Sequence, residues 1–133
     1  MAFRLDARLA ADTVSVAVID NVDIRLMRDA RYHWLVLVPQ IDGAEEWQDL
    51  PEAQGLALHK MSMQLANVAR RLATADKMNI AALGNMVRQL HVHVIARHVD
   101  DAAWPGPVWG VGAAQPYDDA ALAAQLDALR AAL

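Results

Sequence analysis

"QLHVHVIAR", residues 89–97, alternates polar and apolar side chains, a pattern that predicts a β-strand, here over residues 87–99. Successive side chains of a strand lie on opposite faces, so one face carries Gln89, His91, His93, Ile95 and Arg97. The other face carries Leu90, Val92, Val94 and Ala96. The apolar face can pack on a helix. The two histidines, roughly 6–7 Å apart at their α-carbons, then lie on a face where a ligand can bind.

Three interpretations of this histidine pair follow from the residues. It can be an exposed strand face without special chemistry. It can present two nitrogen ligands to a metal ion, with a third ligand supplied by His33, His59 or His98. It can also hold a nucleophile, because a neutral imidazole attacks phosphorus or acyl centres. The spacing alone does not separate the metal site from the nucleophile.

The rest of the chain predicts an α+β fold. Four further strands are expected at residues 15–20, 22–27, 32–39 and 77–83, and helices at 4–12, 51–74 and 118–133. The helix over 51–74 is amphipathic, with apolar residues spaced three and four apart: Leu58, Met61, Leu65, Val68 and Leu72. Three consecutive strands, a long helix and two more strands favour a five-stranded antiparallel sheet with the long helix packed on one face.

Length and composition favour one domain over residues 1–133. Its core is expected at about 14–98, followed by a Pro/Gly/Trp loop and a C-terminal helix in 100–133. The chain has no cysteine, which excludes disulfides and thiolate metal sites and fits a cytoplasmic location. With a net charge of −4 and no basic block, we expect no binding to nucleic-acid duplexes. We expect no signal peptide and no membrane span.

The wider stretch GNMVRQLHVHVIAR (84–97) resembles the signature of the histidine triad (HIT) superfamily of nucleotide hydrolases and transferases. That signature has a Gly and a polar residue, followed by three histidines that alternate with apolar residues. Upstream, WLVLVP with a polar loop and WQDL is similar to the diadenosine polyphosphate hydrolase branch. The resemblance covers residues 14 to 98 and implies a HIT-like fold.

The resemblance also implies roles for individual residues. His91 matches the nucleophile and His93 the third histidine, while Gln89 stands where the family has its first histidine. In the family the backbone carbonyl two residues before the nucleophile, here that of position 89, anchors its ring N–H. Asn85 matches a polar residue that contacts the phosphates or the leaving group. Asn79 is expected near the phosphates, although a hydrogen bond at a turn or strand end is the plainer explanation.

Outside the motif, the resemblance gives weaker expectations. Asp29 is a candidate for the ribose hydroxyls, although a simple turn explains it equally well. Trp104 and Trp109 flank the Pro/Gly loop, where they either pin the loop or help to close the site.

The implied activity is hydrolysis of a nucleotide phosphoanhydride or phosphoramidate, or nucleotidyl transfer, through a nucleotidyl-histidine intermediate. No cofactor or bound metal is required, and magnesium enters only as a complex with the substrate. The expected partners are the nucleotide and a second copy of the chain in a homodimer. The alternative is a nucleotide-binding module with little or no catalysis, because Gln89 cannot titrate near neutral pH.

Overall fold

A computed structural model describes residues 2–133, which form three α-helices and one five-stranded sheet. The strands are β1 (Thr13–Ile19), β2 (Val22–Met27), β3 (His33–Pro39), β4 (Lys77–Ala81) and β5 (Val92–Arg97). The helices are α1 (Ala7–Asp12), α2 (Glu52–Ala73) and α3 (Asp119–Ala132), with a single 3-10 turn at Trp47–Asp49. The predicted α+β class, antiparallel sheet, long helix and C-terminal helix are confirmed.

The sheet has the strand order β1-β2-β3-β5-β4, and all neighbouring strands are antiparallel. Asp20 and Asn21 form the turn between β1 and β2, where both have positive φ, 50° and 62°, which these two residue types tolerate. Because β5 pairs with β3 on one side and β4 on the other, the histidine motif runs into the interior of the sheet.

Helix α2 covers one face of the sheet through four buried side chains of its predicted stripe, namely Leu58, Met61, Leu65 and Val68. Leu72 is 38% exposed and lies outside this contact, contrary to the prediction. Pro51 is the N-cap of α2 rather than part of its first turn. The helix ends where Thr74 adopts a left-handed conformation, with φ of 49°, and its N–H donates to the carbonyls of Arg70 and Arg71.

We call the face under α2 the helix face, and the opposite one the histidine face. The helix face packs Leu35, Leu37, Val92 and Val94 against α2 and Leu129 of α3. On the histidine face, a second buried cluster contains Leu9, Tyr32, Trp34, Val36, Val38, Ile95 and Val108. Phe3, Leu5 and Trp109 pack on it. Most of this covering chain has no regular secondary structure.

Strand β5 is shorter than the predicted strand over 87–99. The N–H of Leu90 donates to the carbonyl of Ala44 (3.0 Å) in the segment before α2, so the chain enters the sheet only at Val92. Gln89 and His91 therefore lie in the loop before β5. The expectation that Gln89 shares a strand face with the histidines is wrong.

The edge strand β1 carries a bulge between Ser15 and Ala17. The guanidinium of Arg130, on α3, donates to the carbonyls of Ser15 and Val16, both at 3.0 Å. Helix α3 is thereby fastened to the edge of the sheet. Within residues 2–133, every helix is too short or too polar to cross a membrane.

Candidate active site

The two histidines of the motif lie side by side at the start of β5. His91 directly precedes the strand and His93 is its second residue. Their ring centroids are 5.0 Å apart and the ring planes meet at 74°. Both side chains are buried, with 5% and 4% of their surface exposed. The sheet and the loop before it therefore hold two imidazoles in contact with each other.

His91 is fixed by the backbone carbonyl of Gln89, which lies 2.7 Å from Nδ1 of its ring. A carbonyl oxygen can only accept, so Nδ1 carries the proton in this hydrogen bond. In the neutral ring, Nε2 then has a free lone pair. The anchor expected at position 89 is present, and it gives His91 the form that a nucleophile requires.

His93 has the opposite arrangement. The indole N–H of Trp34 donates to Nδ1 of His93 at 2.9 Å. Since an indole nitrogen is a donor only, Nδ1 is the acceptor, and the proton of the neutral ring is on Nε2. Burial, followed by the neighbouring His91, lowers the pKa of His93 to about 3. His93 is thus a neutral hydrogen-bond donor.

Two cavities meet at His91. One, of about 420 Å³, is lined by both histidines and has largely apolar walls that include Leu9, Met27, Leu83, Met86 and Val87, with Arg8 and Asp12 beside them. The other, of about 200 Å³, is polar and is lined by Glu45, Glu46, Gln48 and Asn85. A larger cavity of about 550 Å³ between α2 and α3 contains no histidine. The two cavities at His91 therefore form the candidate site.

The loop between β4 and β5 shapes the smaller cavity. A Cβ atom at Gly84 would lie 2.8 Å from the carbonyl oxygen of Val87 and 3.9 Å from Cε1 of His91. Any side chain at this position would therefore require the backbone at Val87 to shift. Asn85 is exposed and lines the same cavity as His91, which is consistent with the contact predicted for it.

The side chain of Gln89 is bound to the N-terminal segment and not to the histidines. Its Oε1 accepts from the N–H of Asp6 and its Nε2 donates to the carbonyl of Arg4, both at 2.9 Å. Gln89 thus contributes to the site through its backbone carbonyl. Its side chain binds the residues on either side of Leu5, and Leu5 packs on the histidine face.

Asn79 pairs with Ile95 in the sheet, two register positions from the Ala81–His93 pair, so it shares the histidine face. Its side-chain oxygen accepts from Arg97 at 2.8 Å. Arg97 also binds the carboxylate of Asp101 through two nitrogens, at 2.8 and 2.9 Å, and this ion pair is almost fully buried. The structure gives Asn79 this partner, and its contact with phosphates stays a prediction.

Asp29 is 2% exposed and its carboxylate is fully engaged. It accepts from the backbone and guanidinium of Arg31 and from the backbone N–H of Gln115. It nevertheless lines a cavity of about 260 Å³, which shares Asp12 and Met27 with the larger cavity at the histidines. The ribose contact of Asp29 stays a prediction, beside a clear structural role in this turn.

The other three histidines lie apart from the pair. His33 faces α2, because it pairs with Ala96 on the opposite side of β5. His59 is exposed on α2, and Nε2 of His98 donates to the carbonyl of Ala73 at 2.8 Å. In the part of the chain that the structure describes, no three His, Cys, Asp or Glu side chains are grouped to hold a metal ion.

Trp34 contacts the histidine pair directly, a contact that was not expected from the sequence. It lies in a strand that is apolar on both faces, so the sequence pattern does not distinguish it from its neighbours. The register of β3 against β5 is the signal that could have found it, since Trp34 pairs with Ile95 and Val36 with His93. Trp109 also contacts His93, edge-on at 5.0 Å between ring centroids, while Trp104 lies over Arg97.

Comparisons with known proteins agree with the observed fold. Residues 8–100 match the model of the HIT domain family. A histidine triad protein from Bradyrhizobium japonicum is 40% identical, with 98% of both chains covered and a TM-score of 0.96. One from Marinobacter aquaeolei is 42% identical, covering 100% of this chain and 97% of its own, with a TM-score of 0.97. A Hit-like protein from Bartonella henselae, 18% identical with a TM-score of 0.70 and full coverage of both chains, shares the fold. No curated protein sequence matches.

Proposed function

The chain belongs to the HIT domain family, and we propose that it hydrolyses or transfers nucleotidyl groups with His91 as the nucleophile. Proteins of this family are generally nucleotide hydrolases or transferases. The proposal for this chain rests on one observation: the hydrogen bond from Nδ1 of His91 to the Gln89 carbonyl. That bond leaves Nε2 unprotonated beside two cavities.

The proposed reaction has two steps. The Nε2 lone pair of His91 forms a bond to the α-phosphorus, and the bond from phosphorus to the leaving group breaks, its electrons departing with that group. With a phosphoramidate, the leaving nitrogen takes up a proton from solvent and departs as an amine. Water, or another acceptor in a transfer reaction, then attacks the phosphorus and breaks the N–P bond, which restores His91. Hydrolysis releases a nucleoside monophosphate and the proton of the attacking water.

The two cavities suggest how the substrate lies. The larger, mainly apolar cavity suits a nucleoside, and the smaller polar one suits a leaving group that contacts Asn85. His93 would donate from Nε2 to a phosphate oxygen, where negative charge grows as the bond to His91 forms. Contacts of Asn79 and Asp29 with the phosphates and the ribose belong to the same proposal.

The substrate class we propose is a nucleotide phosphoanhydride, such as a dinucleoside polyphosphate, or a nucleoside phosphoramidate. The scheme requires no cofactor, and magnesium would arrive with a polyphosphate substrate. Metal analysis of protein purified without added metal tests this part, because stoichiometric zinc or iron would favour the metal-site interpretation instead.

The main test is to trap the intermediate. We expect the protein, mixed with an α-³²P-labelled adenine nucleotide substrate of either class, to acquire acid-labile label on His91 and to release labelled AMP. His91→Ala should abolish both labelling and turnover. His59→Ala, which removes an exposed histidine of α2, is the matched control and should retain both. Undiminished turnover by His91→Ala would refute the assignment.

A second candidate function is nucleotide binding with little or no catalysis. The observation in its favour is that the side chain of Gln89 cannot titrate and is already bound to Arg4 and Asp6. Saturable nucleotide binding without label or product in the same experiment would establish this alternative.

We further propose that two copies of the chain form a homodimer through α2 and a strand. Large apolar side chains exposed on these elements support it: Leu56, Met63 and Leu72 on α2 and Ile80 on β4. The mass of the particle in solution tests this proposal. A cytoplasmic location stays a prediction from the sequence.

A further inference from the structure

Trp34 makes a hydrogen bond that has a direct consequence for His93. Its side chain is buried on the histidine face, and its indole N–H lies 2.9 Å from Nδ1 of His93. An indole nitrogen donates and never accepts, so the bond exists only while Nδ1 of His93 is unprotonated. A proton on Nδ1 would bring two N–H groups face to face in a buried site.

We infer that Trp34 is a positioning residue: it holds His93 in the Nε2–H form, so that His93 meets the substrate as a fixed hydrogen-bond donor. This inference rests on the proposed function for its kinetic meaning, while the state of His93 can be observed without any substrate. Trp34 itself does not line the cavities at His91. It acts through the histidine.

The packing around His93 supports the inference. Its ring contacts Trp34 at 5.6 Å, Trp109 at 5.0 Å and His91 at 5.0 Å between ring centroids. Aromatic rings on three sides oppose rotation of the imidazole, and a rotated ring would lose the bond from Trp34. The nitrogen that donates is therefore selected by both packing and hydrogen bonding.

The result is a pair of imidazoles with complementary nitrogens. His91 offers the lone pair of Nε2, because its Nδ1–H is bound to the Gln89 carbonyl. His93 offers Nε2–H, because its Nδ1 is bound to Trp34. Both rings line the cavity of about 420 Å³. One histidine is thus prepared to attack phosphorus, and the other to stabilise the charge that the attack produces.

The first experiment uses the unaltered protein without substrate. In ¹⁵N-labelled protein near neutral pH, we expect the long-range ¹H–¹⁵N spectrum to show His93 with a proton on Nε2 and none on Nδ1. A scalar coupling across the hydrogen bond should join Nε1 of Trp34 to Nδ1 of His93. A proton on Nδ1 of His93, or a doubly protonated ring, would overturn the inference.

The second experiment compares two tryptophans that contact the same ring. Trp34→Phe removes the donor, and we expect His93 to populate both neutral forms. The kcat of the Trp34→Phe variant on a nucleotide substrate should fall about tenfold, the equivalent of one lost hydrogen bond. Its KM should be nearly unchanged. Trp109→Phe removes an indole that makes no hydrogen bond to His93 in the described structure, so His93 should keep the Nε2–H form.

The outcomes separate the inference from the proposed function. A single Nε2–H form of His93 retained in folded Trp34→Phe would refute the role of Trp34, whatever the activity. Absence of turnover in the unaltered protein would refute the proposed function and leave the spectra to decide the role of Trp34. If Trp34→Phe does not fold, the coupling in the unaltered protein decides.

Discussion

The two faces of the sheet are covered in different ways. On the helix face, one long helix buries a regular stripe of apolar side chains such as Leu58 and Leu65. On the histidine face, short irregular segments are held by individual polar contacts, including Gln89 with residues 4–6 and Arg97 with Asp101. The first face is held mainly by apolar packing, whereas on the second a smaller apolar cluster is supplemented by a few specific polar bonds.

This difference predicts how each face responds to substitution. Loss of one apolar contact weakens a packed layer gradually, according to the volume removed. Loss of one partner in a buried polar pair leaves the other uncompensated, which costs more than the bond contributed. The face that carries the chemistry should therefore be the more sensitive to single polar changes.

The largest effect is expected for Arg97→Ala. The change would leave the carboxylate of Asp101 buried without its cation and Asn79 without its donor, and should cost about 3–5 kcal/mol of the free energy of unfolding. Urea denaturation measures it. Arg88→Ala is the matched control, because Arg88 pairs with Glu45 on the surface, and it should change stability far less. Equal changes in the free energy of unfolding for the two substitutions would show that the buried pair does not stabilise the histidine face.

Low pH should destabilise the histidine face before the helix face. Hydrogen bonds from Arg97 lower the pKa of Asp101 to about 2, against an ordinary value of 3.8. A carboxyl group with a lowered pKa stabilises the fold above its unfolded pKa, and that contribution is lost as the pH falls from about 4 through 2.

Hydrogen exchange over this pH range measures the loss. The amides of Ala103 and Trp104, which donate to Asp101, should lose protection before those of α2. In Asp101→Asn the acid-dependent step at Ala103 and Trp104 should disappear. Simultaneous loss of protection on both faces would contradict the separation.

A smaller effect is expected for Gln89→Ala. Two neutral hydrogen bonds to the N-terminal segment would be lost, at a cost of about 1–2 kcal/mol in the free energy of unfolding. The amide of Asp6 should exchange faster, while the anchor of His91, a backbone carbonyl, is retained. Gln64→Ala, at an exposed position on α2, is the control. Unchanged protection of Asp6 would show that Gln89 does not hold this segment.

The helix face could be predicted from the sequence almost completely. The buried stripe of α2 follows the helical period near 3.6, and the side chains of β3 and β5 alternate between the two faces, both of which are covered. The errors occurred at the ends, where Pro51 was expected inside the helix and Leu72 in its packed stripe. There the outcome depends on caps and neighbours that a periodic pattern does not contain.

The histidine face could be predicted only in part. The motif identified His91, His93 and the carbonyl of position 89 as the anchor, and the structure contains that bond. The partner of His93 and the partners of the Gln89 side chain come from chain segments far away in sequence: Trp34, and residues 4–6. Such pairings depend on strand register and on the path of irregular segments, which local patterns do not specify.

The hydrogen bonds from Arg130 to β1 make the two edges of the sheet differ in how much of their backbone is free to pair. At one edge, a bulge and a guanidinium already occupy the backbone of Ser15 and Val16, so another strand has little left to pair with. At the other edge, β4 pairs with β5 in an unbroken register and exposes Ile80, and in residues 2–133 no helix or loop donates to its outer backbone. Of the two edges, β4, next to the strand that carries His93, therefore leaves its backbone more available for pairing with a further strand.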